Sequence, residues 1–362
     1  MFLIIFIAFL SLIGLIILHE FSHFIVAKKF GVKVEEFGIF LPPRLFAKKI
    51  GETVYSINLL PLGAFVKLYG EEEKIENSRS FSGKPVWQRA LIVVAGVVSF
   101  WIVSIILLTL VMRLGTTMAI SDEFNENLQD PKVQIVSVAS DSPAERAGLK
   151  VGDAVRGFLI GNEQFSINKV GDLQELTEKH KGEEIILIIE RGEKTSEIAL
   201  APRLFPPEGE GAIGISLVRT SIKSYSWREA PIQGTIATGN MTIAVIEGWA
   251  DAFSKFIKKE PTGVEMMGLV GILDMFGQAG QLGVNYFLQF VALISIYIAL
   301  FNILPIPALD GGKLVFLGIE AARKKPISVK IEQQITGIFF ILLIILMIIV
   351  NINDILRIFR LF

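Results

Sequence analysis

The stretch IILHEFSHFIV at residues 16–26 contains two histidines and a glutamate that together could bind a metal ion and use it. On a helix, residues four positions apart share a face, so His19 and His23 can direct their imidazoles to one point with Glu20 beside it. His-Glu-x-x-His is the pattern of zinc-dependent hydrolases, in which imidazoles bind zinc and the carboxylate takes a proton from metal-activated water. Polar groups in an apolar helix are costly unless they are bound. This cost favours a zinc site over a chance match.

A catalytic zinc needs a third protein ligand as well as an open position. The sequence contains no cysteine, so that ligand must offer nitrogen or oxygen. The remaining histidine, His180, lies in LTEKHKG, which is typical of a solvated surface. Asp310, in NILPIPALDGG, is the better candidate, because the prolines bend the chain there and the glycines permit close backbone approach. The other interpretation of Asp310 is an N-cap of the following helix.

The composition indicates which elements hold these residues. Hydrophobic residues make up 52% of the 362 residues and charged residues 20%, and the mean hydropathy is +0.56. These values indicate a membrane protein with a soluble part. A net charge of −1 gives no basic excess for nucleic acid, so no nucleic-acid partner is predicted. Segments with the roughly 20 apolar residues needed to cross a bilayer lie at about 1–26, 88–113, 284–306 and 334–351.

The positions of lysine and arginine predict the orientation of these spans. Basic clusters at 28–49 and 323–330 are expected on the cytoplasmic side. Four crossings then place both termini, and everything between the second and third spans, outside the cytoplasm. At a helical rise of about 1.5 Å per residue, His19 lies roughly 27 Å across a core about 30 Å thick. Asp310 reaches the same side from the third span, so the metal site is predicted near the cytoplasmic face.

The segment between the second and third spans has a different character. Over 120–220, alternating apolar and polar residues and two helical stretches predict an extracytoplasmic α+β domain. Its sequence SPAERAGLKVGD resembles a PDZ domain, and the resemblance covers about 130–217. PDZ domains bind peptides by adding a strand to a sheet edge, with backbone amides capturing a chain terminus. The other interpretation is a rigid spacer or plug that binds nothing.

Two further segments are expected at the membrane. Over 31–80, alternation and turns at Lys49–Glu52 and Pro61–Gly63 predict a β-hairpin or small antiparallel sheet. A strand at membrane depth must be buried in protein or line a water-filled cavity, so this hairpin is expected to be membrane-reentrant, dipping toward the interior of the bundle. Over 225–280, apolar faces mixed with lysines predict an amphipathic helix on the outer membrane surface.

The predicted fold class is therefore a multi-pass α-helical membrane protein with four transmembrane helices, a membrane-reentrant β-hairpin or sheet, and one extracytoplasmic PDZ-like α+β domain. The predicted division of the chain is a first transmembrane helix with HExxH at 1–30, the reentrant region at 31–80, a second transmembrane helix at 88–113, the PDZ-like domain at 120–220, the membrane-surface helix at 225–280, a third transmembrane helix with the LDG motif at 284–322, and the fourth transmembrane helix and C-terminus at 330–362.

Four segments, taken in order, resemble the site-2 protease family of intramembrane zinc metalloproteases, specifically its bacterial regulator-of-sigma protease branch. They are HEFSH, GETVYSINLLPLGAFVKLYGE, the PDZ-like segment and NILPIPALDGG. The resemblance covers nearly the whole chain. It implies a zinc endopeptidase of the bacterial cytoplasmic membrane that cleaves single-span substrates within the bilayer after another protease has trimmed them. Anti-sigma factors and signal-peptide remnants are such substrates. In that family the residues matching His19, His23 and Asp310 bind zinc, and the one matching Glu20 is the general base.

The resemblance also implies a substrate path. The residue matching Asn302 lines it, together with the segment matching Pro305 and Pro307, and the loop matching 52–70 forms a reentrant β-structure beside it. The PDZ-like domain resembles a size filter that admits only trimmed substrates. The sequence AGVVSFWI at 95–102 departs from the Gly-Pro and Asn that relatives often have, so no substrate contact is expected from that helix.

Two other functions are compatible with the same residues. In a metal-binding membrane transporter or scaffold, the three ligands would form a transport site and the PDZ-like domain would recruit partners. An inactive protease homologue would keep only the fold. The general-base glutamate inside the motif favours the protease. Besides its substrates, the expected partners are membrane lipid and a peptide or chain terminus at the PDZ-like domain.

Overall fold

A computed structural model of the protein describes residues 2–124, 128–161, 163–192, 194–261 and 267–360. The helices in these ranges are α1 (Phe2–Lys29), α2 (Val86–Leu114), α3 (Pro143–Arg146), α4 (Val170–Lys179), α5 (Ala230–Lys258), α6 (Leu269–Leu282), α7 (Val284–Ile303), α8 (Asp310–Arg323) and α9 (Val329–Arg360). The strands are β1 (Val34–Ile50), β2 (Thr53–Leu68), β3 (Thr116–Ala119), β4 (Gln129–Val138), β5 (Ala154–Ile160), β6 (Glu163–Ser166), β7 (Ile185–Arg191), β8 (Lys194–Leu200) and β9 (Ile215–Lys223).

These elements form two compact units. The first unit comprises Met1–Thr109, Ile232–Gly277 and Leu288–Phe362, and the second comprises Leu110–Pro231 and Gln278–Phe287.

Four helices, α1, α2, α7 and α9, are long and apolar enough to cross a membrane. They coincide with the four predicted spans. The third, α7, ends at Ile303 rather than at the predicted 306, because Pro305 and Pro307 have no backbone N–H group with which to continue the helix. After this break, the chain starts a new helix at Asp310.

The predicted hairpin consists of β1 and β2. These strands pair from Ile50 opposite Thr53 at the tip to Val34 opposite Leu68 at the base. At the tip, Gly51 has a left-handed backbone with φ of 62°, a conformation that glycine adopts without steric cost. The tip therefore lies within the first predicted turn.

Midway along the hairpin, both strands bend. The regular register is interrupted near 40–43 and 60–63, and the second interruption includes the predicted turn at Pro61–Gly63. Residues 36–39 are paired with 54–57 as well as with 64–67. The hairpin is therefore folded back on itself, with the start of β1 between the two halves of β2.

Inside the folded hairpin, polar side chains satisfy the backbone at the bend. The buried Asn58 amide donates to the carbonyls of Ile39 and Phe40 at 3.2 and 3.1 Å, and the Ser56 hydroxyl donates to the Glu36 carboxylate at 2.6 Å. Internal satisfaction of polar groups is what β-structure in hydrocarbon requires. Large exposed apolar side chains on the hairpin are those of Leu45, Phe46, Ile50, Ile57, Leu59 and Leu60.

In the described part of the predicted membrane-surface region over 225–280, the chain forms two helices, α5 and α6, and α5 packs lengthwise against α2. A Cβ on Gly234 would touch Thr109, and the Trp101 indole donates to the Thr242 hydroxyl at 3.2 Å. These contacts are eight residues apart on each helix and in opposite order, so α5 runs antiparallel to α2. A helix that lay across the ends of the transmembrane helices would contact each of them near one end only, and not at two points eight residues apart.

The second unit is an antiparallel sheet with short helices. Its strand order is β3-β9-β4-β5-β7-β8, with β6 paired to β5. Helix α3 begins where the Ser142 hydroxyl accepts the backbone N–H of Glu145 at 3.1 Å, a standard N-cap. The predicted α+β domain over 120–220 is thus present, and its sheet extends from Thr116 to Lys223. Its assignment as a PDZ domain stays a prediction. The largest fully buried side chains of its core are Phe158, Ile135, Ile167, Leu173, Ile185, Leu187 and Ile189.

Candidate metal centre and active site

Helix α1 places both histidines on one buried face. His19 and His23 are each 8% exposed, their Nε2 atoms are 3.2 Å apart, and their rings meet edge to face with centroids 4.6 Å apart. The His23 Nδ1 atom lies 2.7 Å from the Ile92 carbonyl oxygen of α2. A carbonyl only accepts hydrogen bonds, so Nδ1 carries the hydrogen and the Nε2 lone pair is available to a metal.

Asp310 reaches the same point from the start of α8. Its Oδ2 atom lies 3.4 Å from His19 Nε2 and 3.5 Å from His23 Nε2. The N-cap of α8 is Leu309 and not Asp310, so the alternative interpretation of Asp310 as a helix cap is wrong. Any Cβ on Gly311 or Gly312 would overlap backbone carbonyls of the segment that follows α7. The two glycines therefore allow the close backbone approach that the sequence predicted.

The donor atoms fit a metal ion. The ligand atoms of His19, His23 and Asp310 all lie within 4.8 Å of one another. Oδ2 of Asp310 is buried and has no hydrogen-bond partner, an arrangement that costs free energy unless another group binds this oxygen. The donor set consists of two imidazole nitrogens and one carboxylate oxygen, and a further position is open. Such a set suits catalytic zinc.

Helix α2 supports the histidine rings from behind. A Cβ on Gly96 would lie closer than 3.0 Å to atoms of both His19 and His23, so only glycine lets α2 approach this closely. One turn later, Phe100 stacks on the His19 ring with centroids 4.9 Å apart. Sequence reasoning assigned no role to either residue. The signal that could have found Gly96 is that it is the single glycine of the apolar helix α2 and lies in the middle of it.

Glu20 lies between the histidines and β2. Its Oε2 atom accepts the backbone N–H of Val66 at 3.1 Å. A cavity of about 170 Å³ adjoins this contact. The residues that line it are Glu20, His23, Ile92, Val93, Asp310 and Lys313 from the helices, and Val66, Leu68, Glu71 and Phe81 from β2 and the chain after it.

A larger cavity of about 310 Å³ also borders Glu20 and Asp310. Of the predicted substrate-path residues, Asn302 and Pro307 line this cavity, whereas Pro305 is not among its lining residues. The Asn302 amide donates to the Ile298 carbonyl at 2.9 Å. The lining residues that the sequence did not single out are Ala308, Leu309, Lys313, Phe316, Glu332 and Thr336.

The remaining histidine takes no part in this group. His180 lies at the end of α4 in the second unit, where its Nδ1 atom is 2.8 Å from a carboxylate oxygen of Glu183. Its ring is partly buried beside Phe158, with centroids 6.0 Å apart. It is therefore less solvated than the surrounding polar sequence suggested.

Apolar spans that bring a His-Glu-x-x-His pattern together with a distant carboxylate are the features of a membrane zinc hydrolase. Residues 7–346 match peptidase family M50. A protein of Clostridium perfringens, provisionally named a zinc metalloprotease, is 34% identical over 351 residues, which are 96% of this chain and 97% of the relative. The regulator of sigma-W protease RasP of Bacillus subtilis is 28% identical over 436 aligned positions, with 98% of each chain covered. The zinc metalloprotease RasP of Shouchella clausii is 29% identical, with 97% of this chain and 99% of the relative covered.

The chain belongs to peptidase family M50, the site-2 protease family. It is a multi-pass membrane protein and a zinc metalloprotease, and its cofactor is zinc. The predictions of family, enzyme class and cofactor are confirmed.

Proposed function

We propose that this protein is an intramembrane endopeptidase that hydrolyses peptide bonds within transmembrane segments of membrane proteins. One observation carries the proposal: ligand atoms of His19, His23 and Asp310 converge from two helices, with Glu20 beside them. Because α1 is itself apolar enough to cross a membrane, a peptide bond that reaches Glu20 must come to a membrane helix.

In this proposal His19, His23 and Asp310 hold the zinc, and Glu20 is the general base. Zinc, when bound, supplies Lewis acidity toward the scissile carbonyl and toward water. Glu20 takes a proton from the attacking water and gives it to the leaving amine, which are the two transfers that peptide hydrolysis requires. The Val66 N–H group, bonded to one carboxylate oxygen, holds the Glu20 side chain in place between these transfers.

The substrate must be extended to be cut. A helical peptide bond is shielded by its own backbone hydrogen bonds, so a transmembrane substrate must unwind locally, and unpaired backbone groups are costly in a membrane. Pairing as an added strand along 64–68 of β2 would satisfy them. The smaller cavity between this part of β2 and the metal group supports such a path. In the larger cavity, Asn302 and Pro307 would contact the substrate, with Pro305 shaping the approach.

We further propose that the substrates are trimmed before cleavage. The Bacillus subtilis relative is named a regulator of sigma-W protease, which supports anti-sigma factors as one substrate class. Signal-peptide remnants are the second class that we propose. The basic clusters support a topology in the bacterial cytoplasmic membrane with both termini and the α+β unit outside and the site near the cytoplasmic side. The α+β unit, as a PDZ-like domain, would then exclude substrates with a bulky external domain, or bind a peptide terminus.

The test is the purified protein incubated with a single-span substrate. Glu20→Gln should lower turnover by at least about 100-fold, the lower range of general acid-base contributions, while zinc content stays unchanged. Glu52→Gln, a matched change at a partly exposed ion pair of the hairpin tip, should cleave normally. A zinc chelator should stop fragment formation. Retained turnover would remove Glu20 from its role, and metal flux without cleavage would support the transporter.

A further inference from the structure

An ion pair links the end of β2 to the helix that carries Asp310. The ammonium of Lys313 pairs with the carboxylate of Glu71, three residues after the last residue of β2. Lys313 also lies over the buried ring of Phe81, 4.8 Å from its centroid, a favourable contact for a cation. Both charged side chains are about a quarter exposed. They are therefore less screened by salt than a pair on the open surface.

The position of Lys313 connects this pair to the metal group. Lys313 and Asp310 are three residues apart on α8, so their side chains lie on the same helix face. Both residues line both cavities of the site. The ion pair therefore fixes the end of β2 relative to the Asp310 carboxylate.

A second link fixes the same strand at another point. The Val66 N–H group donates to Glu20 at 3.1 Å, five residues before Glu71. Pairing with β1 and the cluster around Leu68 hold the strand in the fold. The two links add one fixed point to each helix that carries metal ligands, α1 and α8, close to the reacting groups.

The loop that holds Glu71 is itself fixed to β2. The Phe81 N–H donates to the Tyr69 carbonyl at 2.7 Å, and the Ser82 N–H donates to the Gly70 carbonyl at 3.2 Å. Phe81 is buried in the cluster that includes Val34 and Leu68. A displacement of Glu71 is therefore transmitted to the β2 edge and not absorbed by a loose loop.

We propose that the Glu71–Lys313 ion pair is a positioning device that sets the register of the substrate strand along 64–68, and with it the peptide bond presented to the zinc. This inference rests on the strand pairing of the proposed function. A strand repeats its facing every two residues, about 6.6 Å. Loss of the ion pair should therefore move cleavage by two residues or spread it over neighbouring bonds.

The absence of cysteine from the sequence allows register to be measured by disulfide cross-linking without turnover. The background is Glu20→Gln protein, which should not cleave the substrate and whose amide oxygen can still accept the Val66 N–H. One cysteine is added to it by Lys67→Cys, at an exposed position of β2. A single-span substrate with one cysteine, moved position by position, should cross-link most strongly at one place, because facing side chains of paired strands are about 5 Å apart.

Glu71→Gln or Lys313→Met should shift the cross-linking maximum by two residues or broaden it, and the exchanged pair Glu71→Lys with Lys313→Glu should restore one maximum. In proteins that keep Glu20, the cleavage positions found by mass spectrometry should move in the same way. Glu52→Gln is the control in the same hairpin and should leave the maximum in place. Zinc content should be equal throughout, because no ligand is changed.

The results separate this inference from the proposed function. The same maximum and the same cleavage position in every variant would overturn the role of the ion pair and leave the strand pairing intact. No cross-link to β2 in the parent protein would overturn both the register and the substrate path. Zinc-dependent hydrolysis by Glu20 would still be judged by its own experiment.

Discussion

Gly96 gives the sharpest test of how the metal group is built, because it is not a ligand and carries no charge. In Gly96→Ala, the new methyl group would lie closer than 3.0 Å to atoms of the His19 and His23 rings, whereas ordinary van der Waals contact begins at 3.4 Å. The built Cβ lies 2.3 Å from His23 Nε2 and 2.6 Å from His19 Cε1, so the rings or α2 must move by about 0.8 to 1.1 Å to reach ordinary contact. Zinc sites keep their ligand distances within about 0.2 Å, so the displacement exceeds what the coordination tolerates.

We expect Gly96→Ala to bind zinc about 10- to 100-fold more weakly, the usual effect of disturbing groups that orient metal ligands. This corresponds to about 1.4 to 2.8 kcal/mol. The assay is competition for zinc between the detergent-solubilised protein and a chelator of known affinity. Gly14→Ala is the matched control, because a Cβ at Gly14 on α1 meets nothing within 4 Å. Unchanged zinc affinity in Gly96→Ala would refute the account of α2 as the support of the rings.

Three further changes test other parts of the structure. Asp354→Ala removes the buried carboxylate that accepts two backbone N–H groups at the start of α6, at 2.8 and 2.9 Å. It should lower the free energy of unfolding, measured in detergent, by about 1–3 kcal/mol. An unchanged melting temperature would contradict this. Asn58→Ala should expose the hairpin bend to protease, seen as a new early fragment. Burial alone would raise the pKa of Glu190, but hydrogen bonds from Arg156 and Lys132 hold it below its usual value. The stabilisation from ionised Glu190 is present above the ordinary carboxyl pKa and is lost as the pH falls through the lowered pKa. In Glu190→Gln the free energy of unfolding should therefore fall less steeply with decreasing pH than in the parent protein.

The ligand group could be predicted from sequence because its chemistry left few choices. A chain without cysteine and with three histidines has little else with which to bind zinc, and the Pro-Gly context distinguished Asp310 from other carboxylates. The four spans followed from apolar length alone. These inferences depend on residue type and local pattern, which the sequence contains directly.

The contacts that orient the site could not be predicted in this way. The Val66 N–H that bonds Glu20 depends on how the hairpin folds back, and alternation along β2 does not specify that fold. The Glu71–Lys313 pair joins residues 242 positions apart. In the sequence, each charge by itself is typical of a solvated side chain. The packing of α5 along α2 could not be predicted for the same reason, because hydrophobic periodicity specifies a buried face but not the neighbour that buries it.

Two other buried polar side chains of the first unit show how Asp310 differs from them. Asn58 and Asp354 are 2% and 6% exposed, and each has backbone partners for its side chain. Such pairing is what polar groups need in an apolar surrounding. Oδ2 of Asp310 is buried without any hydrogen bond and faces two imidazole nitrogens at 3.4 and 3.5 Å. The buried carboxylate of Asp354 is satisfied by backbone N–H groups, whereas Oδ2 of Asp310 faces two imidazole nitrogens. The ligand group is therefore one that a cation completes.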